Sequence, residues 1–397
     1  MVDDLSRRMF LTAGVVGAAA LVAKANAPVD GKLLPDKPEP VKVPTPDHRK
    51  VGFAVVGLGR LSINQILPAF GSADHCKIVA LVTGHPEEKG KPLADKYGVD
   101  PTAIYTYDNY DDIRKNPDIE AVYIVLPNAM HPEYTIRAAK AGKHVLCEKP
   151  MANSSADCQR MVDACREAGR QLMVAYRLQY EPLTLMVQKL VADKTLGKIK
   201  VVNATNCQNQ RPGSWRTDRS LSGFGGLSDI GVYCINTTRF ILGEDPVEVQ
   251  ACTCSTPGDP RWSPTDGCPE TYTWTMKFPS GTILNGTCSY GANLHYYGLG
   301  GEDGNALVTH AYGYHGQRLE ISARPVPPQN GKGGLPGGIL EASTNEIDHF
   351  AREMDELALC IKENRPVKAS GEEGVKDLKY IEAIDKSARE GGVVKLA

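Results

Sequence analysis

The segment Gly57-Leu58-Gly59-Arg60-Leu61-Ser62 has the residue types and spacing to seat a pyrophosphate. Two glycines let a backbone turn tightly and approach the anion, and the N-terminus of a following helix aims unpaired N–H groups at it. The apolar run Val51–Val56 before the loop and the helical stretch Ile63–Phe70 after it supply that context. Ser62 stands where the usual string has Gly or Ala, a departure from the fingerprint. The chemistry such a loop serves is hydride transfer by a bound dinucleotide. The next strand should end near Thr83, where NAD sites carry Asp or Glu for the ribose hydroxyls. Here the chain reads Val82-Thr83-Gly84-His85, with Lys89 close behind and Arg60 in the glycine loop. A small hydroxyl residue with two cations nearby suits a 2′-phosphate, so NADP is expected over NAD, with Glu87 and Glu88 as the opposing charges.

Two further strings carry polar groups to the same edge of the fold. Leu126-Pro127-Asn128-Ala129-Met130-His131 follows the apolar run Ala121–Val125, and Cys147-Glu148-Lys149-Pro150 follows His144–Cys147. With Val51–Val56, Ile78–Val82 and Gln171–Ala175, these runs alternate with helical stretches, which predicts a parallel sheet with crossover helices over residues 51–175. Both strings then lie on its carboxyl edge, where open α/β sheets bind ligands. The alternation stops after Ala175. Glu270–Phe278 has a period of two that puts Tyr272, Trp274, Met276 and Phe278 on one face, and Pro279-Ser280-Gly281 turns it into Thr282–Tyr290. Asn345–Lys362 and Gly371–Arg389 read as amphipathic helices. The expected fold is an α/β Rossmann domain followed by an α+β domain, 176–397, with a large, mostly antiparallel open sheet. Asp229 and Tyr233 are four apart in a helical stretch, Asp229–Leu242, and should share a face.

The 397 residues carry a formal charge of −2 and are 42% apolar, which gives no field to draw in nucleic acid and points to a small-molecule partner. The N-terminus differs from the rest. Ser6-Arg7-Arg8-Met9-Phe10-Leu11 precedes the small-residue apolar stretch Ala13–Ala23 and the triads Ala23-Lys24-Ala25 and Ala25-Asn26-Ala27. This reads as a twin-arginine export signal over 1–27, giving a periplasmic protein without stable membrane insertion after processing. Six prolines in 28–50 predict an extended arm. The eleven cysteines show no metal spacing and read mainly as buried thiols, although Cys252 or Cys254 could pair with Cys268 or Cys288 in an oxidising compartment. No metal is expected.

With the glycine loop, the Leu-Pro-Asn and Glu-Lys-Pro strings resemble the Gfo/Idh/MocA oxidoreductase family, from about Val51 to about Val394. Ala175-Tyr176-Arg177, Trp215-Arg216 and Gly225-Gly226-Leu227-Ser228-Asp229-Ile230-Gly231-Val232-Tyr233 look like its glucose–fructose and aldose–aldose oxidoreductase branch, as do the N-terminus and the arm. The resemblance implies that Tyr233 is the proton donor and acceptor for a sugar hydroxyl or carbonyl, with Lys149 beside it and Asp229 orienting the sugar or the lysine. An ammonium beside a phenol stabilises the phenolate, so the pairing is chemically sensible. It further implies cofactor contacts from Pro127, Asn128, His131, Glu148, Lys149, Arg177, Trp215 and Arg216, and sugar contacts from Lys149, Tyr176, Arg177, Asp229 and Tyr233. Asn128 and His131 are expected at the nicotinamide, and the arm over the adenine end.

Structural roles are the competing reading: a Glu148–Lys149 ion pair, a packed Tyr233, a His131 that only starts a helix. The function expected is an exported sugar oxidoreductase with tightly bound NADP, a homodimer or homotetramer. One aldose leaves as its lactone, and a second sugar carbonyl takes the hydride back. An NAD-dependent redox-neutral glycosidase and a non-catalytic cofactor-binding protein are the alternatives. Cys207–Arg219 is a loop on which sugar specificity is expected to rest.

Overall fold

Val51–Val56 (β1) is buried along its whole length, as a strand must be when helices cover both faces of its sheet. Around it a computed structural model, which describes residues 47–262, 267–323, 338–342 and 348–396, builds a six-stranded parallel sheet. Its other members are Cys76–Val82 (β2), Ile104–Tyr105 (β3), Ala121–Ile124 (β4), His144–Cys147 (β5) and Leu172–Val174 (β6). The order β3-β2-β1-β4-β5-β6 places a crossover reversal between β1 and β4, where the crevice of a doubly wound sheet opens. The helices Lys91–Tyr97 (α1), His131–Lys140 (α2) and Ser155–Glu167 (α3) connect it. The two-residue β3 has too little apolar sequence to announce itself. The expected export signal lies outside the described residues, as does the arm apart from 47–50. At the arm's end Asp47 pairs with Lys77 at 3.0 Å, and Lys50 donates to the Ala73 carbonyl at 3.0 Å.

The second domain begins with Pro182–Ala192 (α4) and Ile199–Cys207 (β7), followed by Val232–Leu242 (α5). A nine-stranded sheet then adds Glu248–Cys254 (β8), Thr271–Lys277 (β9), Ile283–Ser289 (β10), Leu294–Gly301 (β11), Gly304–Thr309 (β12), Arg318–Ala323 (β13) and Gly338–Ala342 (β14). The helices His349–Glu363 (α6) and Gly371–Glu390 (α7) come next, and Val394–Lys395 (β15) closes one edge. The expected hairpin is β9–β10, with Tyr272, Trp274 and Met276 buried on its inner face. All pairings are antiparallel except β7 with β10. The helices α6 and α7 return to the first domain, where the Val174 N–H donates to the Ala369 carbonyl at 2.8 Å and α7 packs on α3.

All eleven cysteines are free thiols. Cys252 and Cys254 are exposed on β8 while Cys268 and Cys288 are buried, so the pairing entertained between them is not made. Among the described residues no helix is long and apolar enough to cross a membrane.

A buried charge network fixes α5 to α7. Arg239 pairs with Asp377 at 2.6 Å, Glu373 at 2.7 Å and Asp245 at 2.5 Å, and Asn236 donates to Asp377 at 2.8 Å. Removing one partner from such a network costs about 3–5 kcal/mol, because a buried charge is left uncompensated.

Within the hairpin, Gly286 makes room for its cross-strand partner. A Cβ there would lie 2.1 Å from the Trp274 indole. Gly286→Ala must therefore displace a buried ring, at a cost of about 1–3 kcal/mol. Its urea midpoint should fall with the slope unchanged, and an unaltered midpoint would contradict this packing.

Candidate active site

The chain leaves β1 through Gly57 at φ +96°, where a Cβ would come within 2.4 Å of the Val125 carbonyl oxygen. Only glycine fits that backbone and that approach. Ser62 is buried and its hydroxyl donates to the Gly57 carbonyl at 2.5 Å, closing the loop on itself. This is a use for the residue that departs from the usual string. Leu58 is buried and Leu61 packs on the core, which anchors the loop, while Gly59 and Arg60 are exposed. A side chain at Gly59 would meet nothing within 4 Å, so the backbone faces open space where a pyrophosphate fits.

The end of β2 is built differently from the expectation. Thr83 is buried and its hydroxyl accepts the His85 N–H at 3.1 Å, so it shapes the turn. Gly84 is exposed beside it and Lys89 half-exposed. Glu87 is drawn away into a pair with Lys91 at 2.5 Å, and Glu88 lies 3.7 Å from His85. Arg60 in the glycine loop and Lys89 after the turn carry positive charge, and Thr83 and Gly84 put no carboxylate at the strand end itself.

At the ends of β4 and β5 the two domains meet. Lys149 Nζ donates to the Asp229 carboxylate at 2.9 Å and to the Asp229 carbonyl at 2.7 Å, and it lies 4.7 Å from the centre of the Tyr233 ring. The second Asp229 oxygen accepts from Arg216 Nε at 3.0 Å and from the Tyr290 hydroxyl at 2.7 Å. Burial alone would neutralise both partners. It pulls the Lys149 ammonium down, but Asp229, Tyr233 and Glu148 outweigh it and hold Lys149 above its ordinary value. Burial pushes Asp229 up, and Lys149 and Arg216 reverse that, holding it well below the usual carboxylate range. The pair therefore stays zwitterionic across neutral pH.

Arg177 is 2% exposed, so it contacts neither cofactor nor sugar over any appreciable surface. Its Nε donates to the Tyr233 hydroxyl at 3.1 Å, and its remaining nitrogens reach the Tyr312 and Gly313 carbonyls at 2.6 and 3.1 Å. Tyr233 thus has one cation on its oxygen and another over its ring. Tyr176 is buried and lines, with Lys149, Tyr233, Asn236 and Thr237, a cavity of about 10 Å³ behind the pair. That is room for about one water.

Several expected cofactor residues prove to be braces. His131 is fully buried, with its ring nitrogens at 2.8 Å from the Leu126 carbonyl and 3.0 Å from the Pro150 carbonyl. Burial pulls it to about 4, so it is a neutral clamp between the two motif loops and does not meet a nicotinamide. Asn128 donates to the Ser222 carbonyl at 3.0 Å, latching the first domain to the second. Pro127 is half-buried beside it. Glu148 makes no side-chain bond to Lys149; its carboxyl accepts from the buried Tyr123 at 2.9 Å. Trp215 is half-buried with the Arg216 guanidinium 4.7 Å over its ring. Tyr290, Tyr123, His349 and Glu353 were not foreseen. Tyr290 ends the predicted strand Thr282–Tyr290, so only its role was hidden.

Two family models match the chain: an oxidoreductase family, NAD-binding Rossmann fold, over residues 51–176, and an oxidoreductase family, C-terminal alpha/beta domain, over residues 188–396. The crystal structure of an aldose-aldose oxidoreductase from Caulobacter crescentus, complexed with glycerol, matches with a TM-score of 0.81 at 38% identity, covering 88% of this chain and 100% of that one. A D-xylose 1-dehydrogenase [NADP(+)] from Haloarcula marismortui is 29% identical over 359 residues, 89% of this chain and 95% of its own. A levoglucosan dehydrogenase solved with NADH and levoglucosan shares the fold, with a TM-score of 0.74 at 21% identity, over 87% of this chain and 99% of that one.

Asp229→Asn removes the anion that Lys149 and Arg216 share. Because the folded-state value of Asp229 is lowered, its contribution to stability is present above the unfolded carboxylate value, near roughly 4, and is lost as pH falls through the lower folded value. The wild type should therefore lose stability below about pH 4 more steeply than Asp229→Asn. Urea midpoints measured between neutral and strongly acidic pH check this, and parallel curves would refute it.

Proposed function

The chain belongs to the Gfo/Idh/MocA oxidoreductase family, and on that premise we propose that it is an exported sugar oxidoreductase holding NADP tightly. In this reading it oxidises an aldose to its lactone and passes the hydride to a second sugar carbonyl in a ping-pong cycle. The observation that carries it is the meeting of Lys149, Asp229, Arg177 and Tyr233 at the carboxyl edge of the first sheet.

The residues present fit the cofactor. Gly57, Gly59 and Ser62 shape an open loop for the pyrophosphate, and the exposed Arg60 of that loop, with Lys89 after β2, supplies cations that suit a 2′-phosphate. When bound, the nicotinamide supplies a hydride acceptor and donor. Tyr233 moves the accompanying proton at its hydroxyl, taking it from the sugar hydroxyl in one half-reaction and returning it to the carbonyl oxygen in the other. Lys149 and Arg177 stabilise the charge that develops on the Tyr233 oxygen, and Asp229 holds Lys149 in place. The D-xylose and aldose-aldose relatives support an aldose as the donor sugar.

Export is supported by Ser6-Arg7-Arg8-Met9-Phe10-Leu11 and the small-residue stretch after it. A protein outside the cytoplasm has no exchangeable NADP(H) pool, so a retained cofactor recharged in place is the economical arrangement. We place the working protein in the periplasm as a homodimer or homotetramer.

Denaturing the purified protein should release NADP in near-stoichiometric amount, and adding an aldose to the intact protein without cofactor should raise the reduced-nicotinamide band. Recovery of NAD, or a silent spectrum across aldoses, would sink the reading. Tyr233→Phe should lower turnover by on the order of 10²–10⁴ with the nucleotide still bound.

A further inference from the structure

One phenol stands between two buried carboxyl groups beneath the site. Tyr123 on β4 is fully buried, and its oxygen lies 2.9 Å from Glu148 Oε1 and 2.9 Å from Glu353 Oε1. Glu148 immediately precedes Lys149, and Glu353 sits on α6, which the second domain lays against the first sheet. A phenol carries one proton and can donate to one acceptor only. The second contact then sets two oxygen lone pairs against each other in a dry interior, unless that carboxyl brings a proton of its own.

We propose that Glu353 is a neutral acid in the working protein and a positioning residue for Tyr233. Its Oε1–H donates to the Tyr123 oxygen, and the Tyr123 O–H donates to the Glu148 carboxylate. Three features assign the proton to Glu353. Burial raises Glu148 too, but the adjoining Lys149 ammonium is the largest influence opposing that rise, whereas at Glu353 the largest charge acting, that of Glu148, adds to it. The second oxygen of Glu353 is buried with no hydrogen-bond partner. A carboxylate oxygen left so would forfeit far more solvation than the carbonyl oxygen of a neutral acid. Tyr123 and Glu148 from the first sheet, Arg177 and Tyr180 from the turn after β6, and Asp348 at the N-cap of α6 are the groups that face it. Arg177 is the one cation among them, and it is committed to Tyr233, Tyr312, Gly313 and His349. In agreement, burial and then the charge of Glu148 push Glu353 well above the usual carboxyl range.

The consequence reaches the catalytic hydroxyl. An ionised Glu353 competes with Tyr233 for Arg177 and sets a second negative charge beside that of Glu148, whereas the neutral acid leaves Arg177 on the Tyr233 oxygen. This effect on catalysis rests on the reading of Tyr233 as the proton-transfer group; the protonation of Glu353 does not.

Infrared spectroscopy of the holoprotein tests the proton directly. A carboxylic-acid carbonyl band should persist at neutral pH, where an ordinary glutamate is ionised, and Glu353→Gln should remove it. Glu353→Ala should lower kcat for sugar turnover by roughly tenfold with nucleotide occupancy unchanged, and Glu353→Gln, whose amide donates the same hydrogen bond, should restore most of it. In Glu353→Gln the alkaline limb of kcat should also move upward, since no carboxylate can form there. A band absent from the wild type, or surviving in Glu353→Gln, overturns the assignment, and an alkaline limb that does not move overturns the positioning role. Absence of sugar turnover in the wild type would reject the function and leave the infrared result to decide the proton.

Discussion

The structure depends most on one carboxylate. Asp229 comes from the second domain and binds Lys149, which comes from the first, while its other oxygen takes Arg216 and Tyr290. Each of these groups is mostly out of water, and an isolated charge in such a place neutralises or drives the structure to rearrange. Here one anion faces two cations and a phenol, so its oxygens are filled and the arrangement is locally electroneutral once Glu148 is counted. Lys149 is therefore held by a residue whose own position is set by a hairpin, β9–β10, and a turn, Trp215–Thr217, from the far side of the crevice.

That interaction works only if the two domains keep their spacing, and the chain achieves this with several modest latches. Asn128 reaches the Ser222 carbonyl, and Asp355 on α6 accepts the Asp74 and His75 N–H groups at 2.8 and 2.7 Å. Tyr123 meets Glu353, and α7 packs along α3. All but the first involve α6 or α7, the last helices of the chain, which lie on the first domain, so the crevice is assembled only after the second domain has been traversed. His131 serves the same end from within the first domain, since both motif loops hang on its two nitrogens.

Much of this was legible in the sequence because it rests on period and punctuation. The fully apolar Val51–Val56 and the alternation in Glu270–Phe278 each suit one kind of strand, and the glycine at position 57 supplies the one residue type that tolerates the positive-φ turn after β1. The motif strings were located at the right edge of the right sheet for the same reason. The division of labour among their side chains was not legible. Thr83 reads as a ribose-phosphate ligand until its hydroxyl is seen turned to the His85 N–H. His131 and Arg177 read as ligand contacts until their burial is known, since a polar residue beside a site can either face it or hold it. Nothing in sequence brings Glu353 to Tyr123, which are separated by 230 positions.

The spacing of Asp229 and Tyr233 predicts a shared face, and Lys149 meets both, but the helix between them is not regular. Residues four apart on a regular helix lie one above the other, which would let these two touch directly. The segment Leu227–Gly231 instead winds as a π turn before α5 continues. The wider turn inserts an extra residue and rotates the helix beyond it, a device common at functional sites. Gly231 permits the tight passage, since a side chain there would press within 3.1 Å of Cys288 and Leu227. Asp229 is thereby free to serve Arg216 and Tyr290 while Tyr233 points its hydroxyl to Arg177, and the two are joined by Lys149 reaching across from the other domain. Both residues meet Lys149, as a shared face requires, and their coupling therefore runs through a residue of the other domain.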